Sequence, residues 1–146
     1  MNGGTVLGGA FIVAGLFHGY LVIRLWRNPA TAARLVDNFS SVFPYSDEFC
    51  RGMVRASAAT TGGVTTAGLF AVIGQAAMAH QAGTLGRDLL DAMIASLVAL
   101  FLFIALNMSL TLFNFPKRLA PPHMRDDLGS VIAHRRDRAA RRRAAG

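Results

Sequence analysis

The sequence predicts an all-α membrane protein with three transmembrane helices. Hydrophobic residues make up 53% of the 146 positions and charged residues only 16%, whereas about 25% of the residues in a soluble domain are charged. No Asp, Glu, Lys or Arg occurs in 1–23, 56–86 or 92–116. This composition excludes a water-soluble enzyme with an ordinary core, and its hydrophobicity excludes a disordered chain.

Each charge-free run can supply one spanning helix, since about 20 apolar residues cross the ~30 Å core of a bilayer. The predicted spans are about 6–23, 58–82 and 92–115. The middle span is rich in Ala, Gly and Thr, so we expect neighbouring helices to shield it from lipid. The first is predicted to be retained, because Met1–Gly4 lacks the Lys or Arg that begins a signal peptide.

The basic residues predict the orientation of these spans. None precedes the first span, five lie in the first loop, one (Arg87) lies in the second, and nine follow the third. Because Lys and Arg favour the cytoplasmic side, we expect the N-terminus outside and the first loop and C-terminus in the cytoplasm. The preference for Arg over Lys, with abundant Ala and Gly, indicates a bacterial chain and hence the inner (plasma) membrane. The predicted domains are a membrane domain, 1–116, and a basic cytoplasmic tail, 117–146.

The first loop contains a predicted amphipathic helix at about 29–43. Its apolar residues, from Ala32 to Phe43, recur at helical spacing, and Asn28 and Pro29 suit its N-terminus. Between two spans, such a helix most simply lies in the cytoplasmic membrane interface. The alternative is a helix that packs on a partner protein.

Prolines, glycines and capping residues predict where the other helices begin and end. Pro44 ends the amphipathic helix, and Ser46 caps a further helix that continues through Arg55 into the second span. The remaining boundaries are an outer turn at Gly83 and Gly86, the end of the third span at Pro116, and a tail helix from Ser130.

Polar residues inside the spans are few and uncharged. The lack of Asp, Glu, Lys and Arg there argues against ion-coupled transport by a single copy. By depth, the sequence predicts an inner-leaflet polar cluster consisting of His18, Thr61, Thr65, Asn107 and Thr111. Such residues either hydrogen-bond between helices or line a ligand site or a water-filled path.

His18 raises the question of haem, for which two axial histidines must face one iron from opposite sides. His80 lies at the outer end of the second span, so only a second copy or another subunit could complete the pair. No cofactor is therefore expected, and haem held by His18 is the alternative. His80, Asp88 and Asp91 lie near one another outside, but Asp88 is better explained as a helix cap, and no metal site is expected.

Small residues recur at four-residue spacing in the first two spans and predict close helix packing. They are Gly4, Gly8, Gly15, Gly19, Gly63, Ala67 and Ala71. A three-helix chain has more small faces than internal contacts, so we expect an oligomer or a larger complex.

The tail ends in arginines that we expect to contact anionic lipid headgroups. They are Arg135, Arg136, Arg138, Arg141, Arg142 and Arg143. Nucleic acid would be attracted by the same charge, but no aromatic residue is interleaved with these arginines to stack on bases. The sequence therefore disfavours nucleic acid as a partner.

Three functions fit these observations, and none of them is enzymatic, since no nucleophile motif, phosphate loop or HExxH occurs and Cys50 stands alone. The preferred function is a non-catalytic accessory or anchor subunit of a larger bacterial inner-membrane assembly. The second is a self-assembling pore, because three spans with an outside N-terminus and a basic cytoplasmic tail are similar in layout to phage class I holins. The third is a haem- or ligand-binding subunit using His18, which in span count looks like the three-span cytochrome b anchors of quinone-linked dehydrogenases.

Overall fold

The computed structural model describes residues 3–42, 44–80 and 84–144, and within these residues the chain is helical, without strands. Two short 3-10 turns, Lys117–Leu119 and Pro122–Met124, precede the last helix. The six α-helices are α1 (Gly3–Arg27), α2 (Pro29–Val42), α3 (Asp47–Arg55), α4 (Ser57–Ala79), α5 (Thr84–Phe113) and α6 (Ser130–Ala144).

Three of these helices, α1, α4 and α5, are long and apolar enough to cross a membrane. The number of candidate spans is therefore confirmed. The third predicted span, about 92–115, falls on α5, a helix that begins earlier, at Thr84. A charge-free run marks only the apolar part of a helix. The residues of α5 before that part carry exposed charges such as Arg87 and Asp88.

Two predictions at the outer turn change with this boundary. Gly86 lies inside α5 and not in a turn, and Asp88 lies too far along the helix to cap it. Gly83, the other residue predicted for the turn, lies outside the described residues.

The first loop forms two short helices with identifiable starts. Asn28 Oδ1 accepts a hydrogen bond from the Ala30 N–H at 2.9 Å, directly before α2, and Ser46 Oγ accepts one from the Phe49 N–H at 3.4 Å at the start of α3. The predicted continuation of α3 into the second span was wrong, because the chain turns at Ala56 before α4 begins. No Gly or Pro marks that turn in the sequence.

The chain divides into two compact units: unit 1 comprises Met1–Leu21 with Ala59–Ala105, and unit 2 comprises Val22–Ala58 with Leu106–Gly146. These units are not the predicted domains. The boundary at residue 116 between a membrane domain and a cytoplasmic tail stays a prediction.

Within unit 1, α1 and α4 approach closely through glycines. A Cβ on Gly8 would lie 2.7 Å from Val72 Cγ2 and 2.9 Å from the carbonyl oxygen of Gly68, and one on Gly68 would lie 2.8 Å from the Gly8 carbonyl oxygen. Neither position accepts a larger residue without movement of a backbone, so glycine sets the separation of these two helices.

Within unit 2, a small hydrophobic core forms around α2 and α3. Its buried members are Leu25, Ala32, Val36, Cys50, Val54 and Met124, with Trp26, Leu35 and Phe39 packed against them. The apolar stripe of the predicted amphipathic helix is thus covered by the protein's own residues, chiefly those of α3. A location of α2 in the membrane interface stays a prediction; at its end, Val42 is exposed.

The single cysteine is sealed in this core and its protonation is coupled to folding. Burial raises the pKa of the Cys50 thiol, the nearby Asp47 carboxylate raises it further, and a backbone hydrogen bond lowers it. Because the folded pKa lies above that of the unfolded chain, about 8.5, the thiol's contribution to stability is complete below that pH. It is lost as the pH rises through the folded pKa.

We therefore expect the melting temperature in detergent to fall more steeply above about pH 8.5 for the natural chain than for Cys50→Ala. A thermal-unfolding series from neutral to alkaline pH measures this difference, and all other titrating groups cancel between the two chains. Parallel curves would contradict a buried, protonated thiol.

Candidate functional site

Arg55, the last residue of α3, lies at the centre of unit 2 with its side chain 0% exposed. Its Nη1 donates to the Leu128 carbonyl oxygen at 3.2 Å, and its Nη2 donates to the Thr111 carbonyl oxygen at 3.4 Å. The same Nη1 lies 3.7 Å from Asp127 Oδ2. One guanidinium thus joins α3, the end of α5 and the segment before α6.

Arg55 keeps its positive charge although it is buried. Burial lowers the pKa of Arg55 and the neighbouring Arg51 lowers it too, whereas Asp127 raises it. An arginine is nevertheless not deprotonated in proteins, so this group is a fixed cation and has no general-base role. Asp127 is shared, because Arg51 Nη1 also lies 3.9 Å from its Oδ2.

The carbonyl oxygen of Thr111 is one of the last four of α5, which have no partner within the helix. It accepts hydrogen bonds from Arg55 and from Ser130 Oγ at 3.1 Å. A positive charge near the C-terminus of a helix also interacts favourably with the helix dipole. Arg55 and Ser130 therefore act together as a C-terminal cap for α5.

Asn114 organises the segment that follows α5. Its backbone φ is 53°, a left-handed conformation that asparagine tolerates better than most residues, and its side chain is buried. Its Nδ2 donates to the carbonyl oxygens of Asp127 at 2.7 Å and of Arg125 at 3.0 Å, with that of Met124 at 3.5 Å. Asn114 therefore holds the loop that carries Asp127.

Arg55 and its partners Thr111, Asp127 and Leu128 are called the arginine joint below. Two polar clefts lie beside it within unit 2. The larger, of about 460 Å³, is lined by the acids Asp47, Glu48, Asp127 and Asp137 together with Arg51 and Arg136. The smaller, of about 160 Å³, lies between α2 and the segment around Met124. Among the described residues, no group of three His, Cys, Asp or Glu side chains could hold a metal ion.

The residues of the predicted polar cluster are divided between the two units. In unit 1, His18 Nδ1 lies 2.7 Å from Thr61 Oγ1, and Thr65 lies against Gly15. In unit 2, Thr111 is buried and its Oγ1 donates to the Gly52 carbonyl oxygen at 3.5 Å. Asn107 is half-buried in the same unit. His18 and Thr61 are thus brought together, whereas Thr111 belongs to the arginine joint.

The residues predicted for helix packing lie mostly between helices of unit 1. Gly4 lies against Gln75, Gly8 against Gly68 and Val72, Gly15 against Thr65, Gly19 against Thr61, and Gly63 against Phe103. Ala67 and Ala71 are half-buried on α4, and Ala71 lines a groove of about 390 Å³ with Gly4 and Gly74. These small residues are used for contacts within the chain.

The tail arginines lie on α6, a helix of 15 residues. Each residue from 134 to 144 is exposed, whereas Ser130 and the buried Ala133 attach the first turn to unit 2. His80, Asp88 and Asp91 are exposed, and His80, which directly follows α4, has its Nδ1 3.0 Å from the Ala76 carbonyl oxygen of that helix.

Sequence reasoning missed the role of Arg55, which it used only to orient the spans. One signal was present: Arg55 is followed by Ala56, Ser57, Ala58 and Ala59, and such small residues leave room for a long side chain between helices. The Asp126–Asp127 pair, an acidic interruption in a basic tail, was the second.

No family model, no curated protein and no solved structure matches this chain. Over the residues that the structure describes, the fold establishes a class: an all-helical protein with three helices long and apolar enough to cross a membrane.

Proposed function

We propose that the chain is a non-catalytic accessory or anchor subunit of a larger bacterial inner-membrane assembly, with its N-terminus outside and its C-terminus in the cytoplasm. The observation that carries the proposal is α6, a strongly cationic helix that is exposed along most of its length while its first turn is fixed to unit 2. The chain thereby holds a charged surface in a defined place.

The charge of α6 supports an interaction role. Arg138 and Arg142 are four residues apart on one face, and like charges at this spacing destabilise an isolated helix. Helices of about 15 residues are marginal in water even with favourable sequences. An anionic surface relieves this repulsion, so α6 is best explained as a helix that lies against anionic headgroups or an acidic partner surface.

The small residues of α1 and α4 no longer support an oligomer by themselves. Gly8 and Gly68 contact each other's helix within the chain, so the predicted excess of small faces is reduced. The proposed partners are therefore expected to bind through unit 2, chiefly through its helix α6.

Native mass spectrometry after gentle detergent extraction tests the proposal. We expect further polypeptides in fixed stoichiometry with the 15.6 kDa chain. Two matched variants, each lacking three exposed arginines, locate the contact. One replaces Arg141, Arg142 and Arg143 of α6 by Gln; the other replaces Arg24 and Arg27, at the end of α1, and Arg34 of α2 by Gln.

Partners lost only from the α6 variant would place a protein contact there, and partners retained by both variants would leave α6 to the lipid surface. Masses that are only multiples of 15.6 kDa would refute the subunit role and favour the self-assembling pore.

A second candidate is a haem- or ligand-binding subunit, and the contact between His18 and Thr61 favours it. With Nδ1 held by Thr61 Oγ1 at 2.7 Å, the ring is oriented and Nε2 is left as the atom that could bind iron. A hydrogen bond that fixes the other ring nitrogen in this way is typical of metal-binding histidines. A Soret band that is lost in His18→Ala and retained in His80→Ala would support this candidate, and a band that survives His18→Ala would remove it.

A further inference from the structure

The segment directly after α5 combines exposed aromatic and basic side chains. Phe115 is 68% exposed and Phe113, the last residue of α5, is 52% exposed. Lys117 and Arg118 follow at once in a short 3-10 turn and are exposed too. Phe115 lies beyond the end of α5, so the apolar span alone does not explain its exposure beside two cations.

Fraying of the chain does not explain it, because the segment is held by hydrogen bonds at both ends. Ser109 Oγ donates to the Phe115 carbonyl oxygen at 2.7 Å, and the Phe115 N–H donates to the Ser109 carbonyl oxygen at 3.4 Å. Further along, Arg125 donates to the carbonyl oxygens of Ala120 at 3.3 Å and of Arg118 at 3.5 Å. Phe115 and the two basic residues are therefore presented on a fixed backbone.

The position of the segment indicates what covers it. α5 is long and apolar enough to span a membrane and ends at Phe113, so the residues that follow emerge where hydrocarbon gives way to headgroups. Phenylalanine side chains can be buried at the boundary between headgroups and acyl chains, and lysine and arginine side chains extend from it to reach phosphates. Asp127, whose backbone is held by Asn114, is already paired with Arg51 and Arg55. The charges of Lys117 and Arg118 are therefore left for the lipid.

We propose that residues 113–119 form a binding site for an anionic phospholipid. The ring of Phe115 lies at the boundary between acyl chains and headgroups, and Lys117 and Arg118 bind the headgroup phosphate. The site rests on the proposed membrane location of α5. It is separate from α6 and does not depend on the accessory role.

Tryptophan fluorescence in vesicles tests the site. Trp26 is the sole tryptophan, so Phe115→Trp in a Trp26→Phe background gives one local probe, and an unreactive Cys50 verifies that the variant is folded. The vesicles contain phosphatidylcholine and phosphatidylglycerol at a fixed ratio, and either one or the other carries bromine close to the headgroup.

We expect brominated phosphatidylglycerol to quench this tryptophan about three- to tenfold more effectively per molecule than brominated phosphatidylcholine, because two cations favour the anionic lipid. Lys117→Gln with Arg118→Gln removes the preference. Arg141→Gln with Arg142→Gln, which removes the same charge from α6, retains it.

Equal quenching by both lipids would overturn the proposal, because Phe115 would then contact lipid without selecting its charge. Quenching by aqueous iodide alone would overturn it too, since Phe115 would face water. Strong shielding from both iodide and bromine would also overturn it, since another copy of the chain would then cover Phe115 in place of the lipid. The accessory role is decided separately by co-purifying polypeptides, so failure of one proposal is distinguishable from failure of the other.

Discussion

Replacing Arg55 by alanine is expected to lower the free energy of unfolding of unit 2 by about 3–5 kcal/mol, since removing one partner of a buried ion pair has a cost of this order. The variant leaves Asp127 without its buried partner and leaves the carbonyl oxygens of Thr111 and Leu128 without their shared donor. It also creates a cavity beside Val54 and Ala56, which are buried. The start of α6 should then detach from the end of α5.

Cys50 is a built-in reporter of this opening, because it is the single cysteine and is 0% exposed. Its rate of reaction with a maleimide in detergent follows the population of the open state. A loss of about 3 kcal/mol raises that population roughly a hundredfold. Hydrogen exchange of 127–133 should accelerate in parallel.

Arg51→Ala is the matched control, because it removes the same residue type from the same helix. The Arg51 side chain is 56% exposed and lies 3.9 Å from Asp127, and an exposed pair of this kind contributes about 0–1 kcal/mol. Arg55→Lys should fall between the two, since an ammonium lacks the planar fork that reaches two carbonyl oxygens. Equal labelling rates for Arg51→Ala and Arg55→Ala would show that the buried guanidinium does not hold unit 2 together.

The three apolar helices could be predicted because their signal is local. Each is a charge-free run, and the run alone sets its approximate place in the chain. The start of α2 at Pro29 and of α6 at Ser130 was also visible, since prolines and capping residues act over a few positions.

The arginine joint could not be predicted, because its contacts are distant in sequence. Arg55 reaches the carbonyl oxygen of Thr111 across 56 positions and that of Leu128 across 73. Counting arginines treats every one as a solvated charge, and only the folded chain distinguishes the buried Arg55 from the exposed Arg51. The amphipathic pattern of α2 has the same ambiguity, since an apolar stripe fits lipid, a partner, or the α3 that covers it here.

Replacing Gly8 by leucine is expected to separate α1 from α4 and to destabilise unit 1 by about 1–3 kcal/mol or more, the usual cost of overpacking. The added Cβ would meet Val72 Cγ2 at 2.7 Å and the Gly68 carbonyl oxygen at 2.9 Å. A methyl group can turn away, but a backbone carbonyl inside a helix cannot move without carrying the helix with it.

Gly9→Leu is the matched control, because it places the same side chain on the same helix one residue later. Among the described residues, nothing apart from the adjoining backbone of α1 lies within 4 Å of a Cβ at that position, and leucine exceeds glycine in helix propensity by up to about 1 kcal/mol. Gly9→Leu should therefore be neutral or stabilising. Loss of circular-dichroism signal during titration with SDS compares the two variants, and Gly68→Leu should reproduce the effect of Gly8→Leu from the opposite helix.

If Gly8→Leu and Gly9→Leu unfolded at the same SDS fraction, the close approach of α1 and α4 would not determine the stability of unit 1. The small residues could then pack against helices of another copy. That result would again support the oligomer that their four-residue spacing predicted. The pair of variants therefore decides where the glycines act, within one chain or between several.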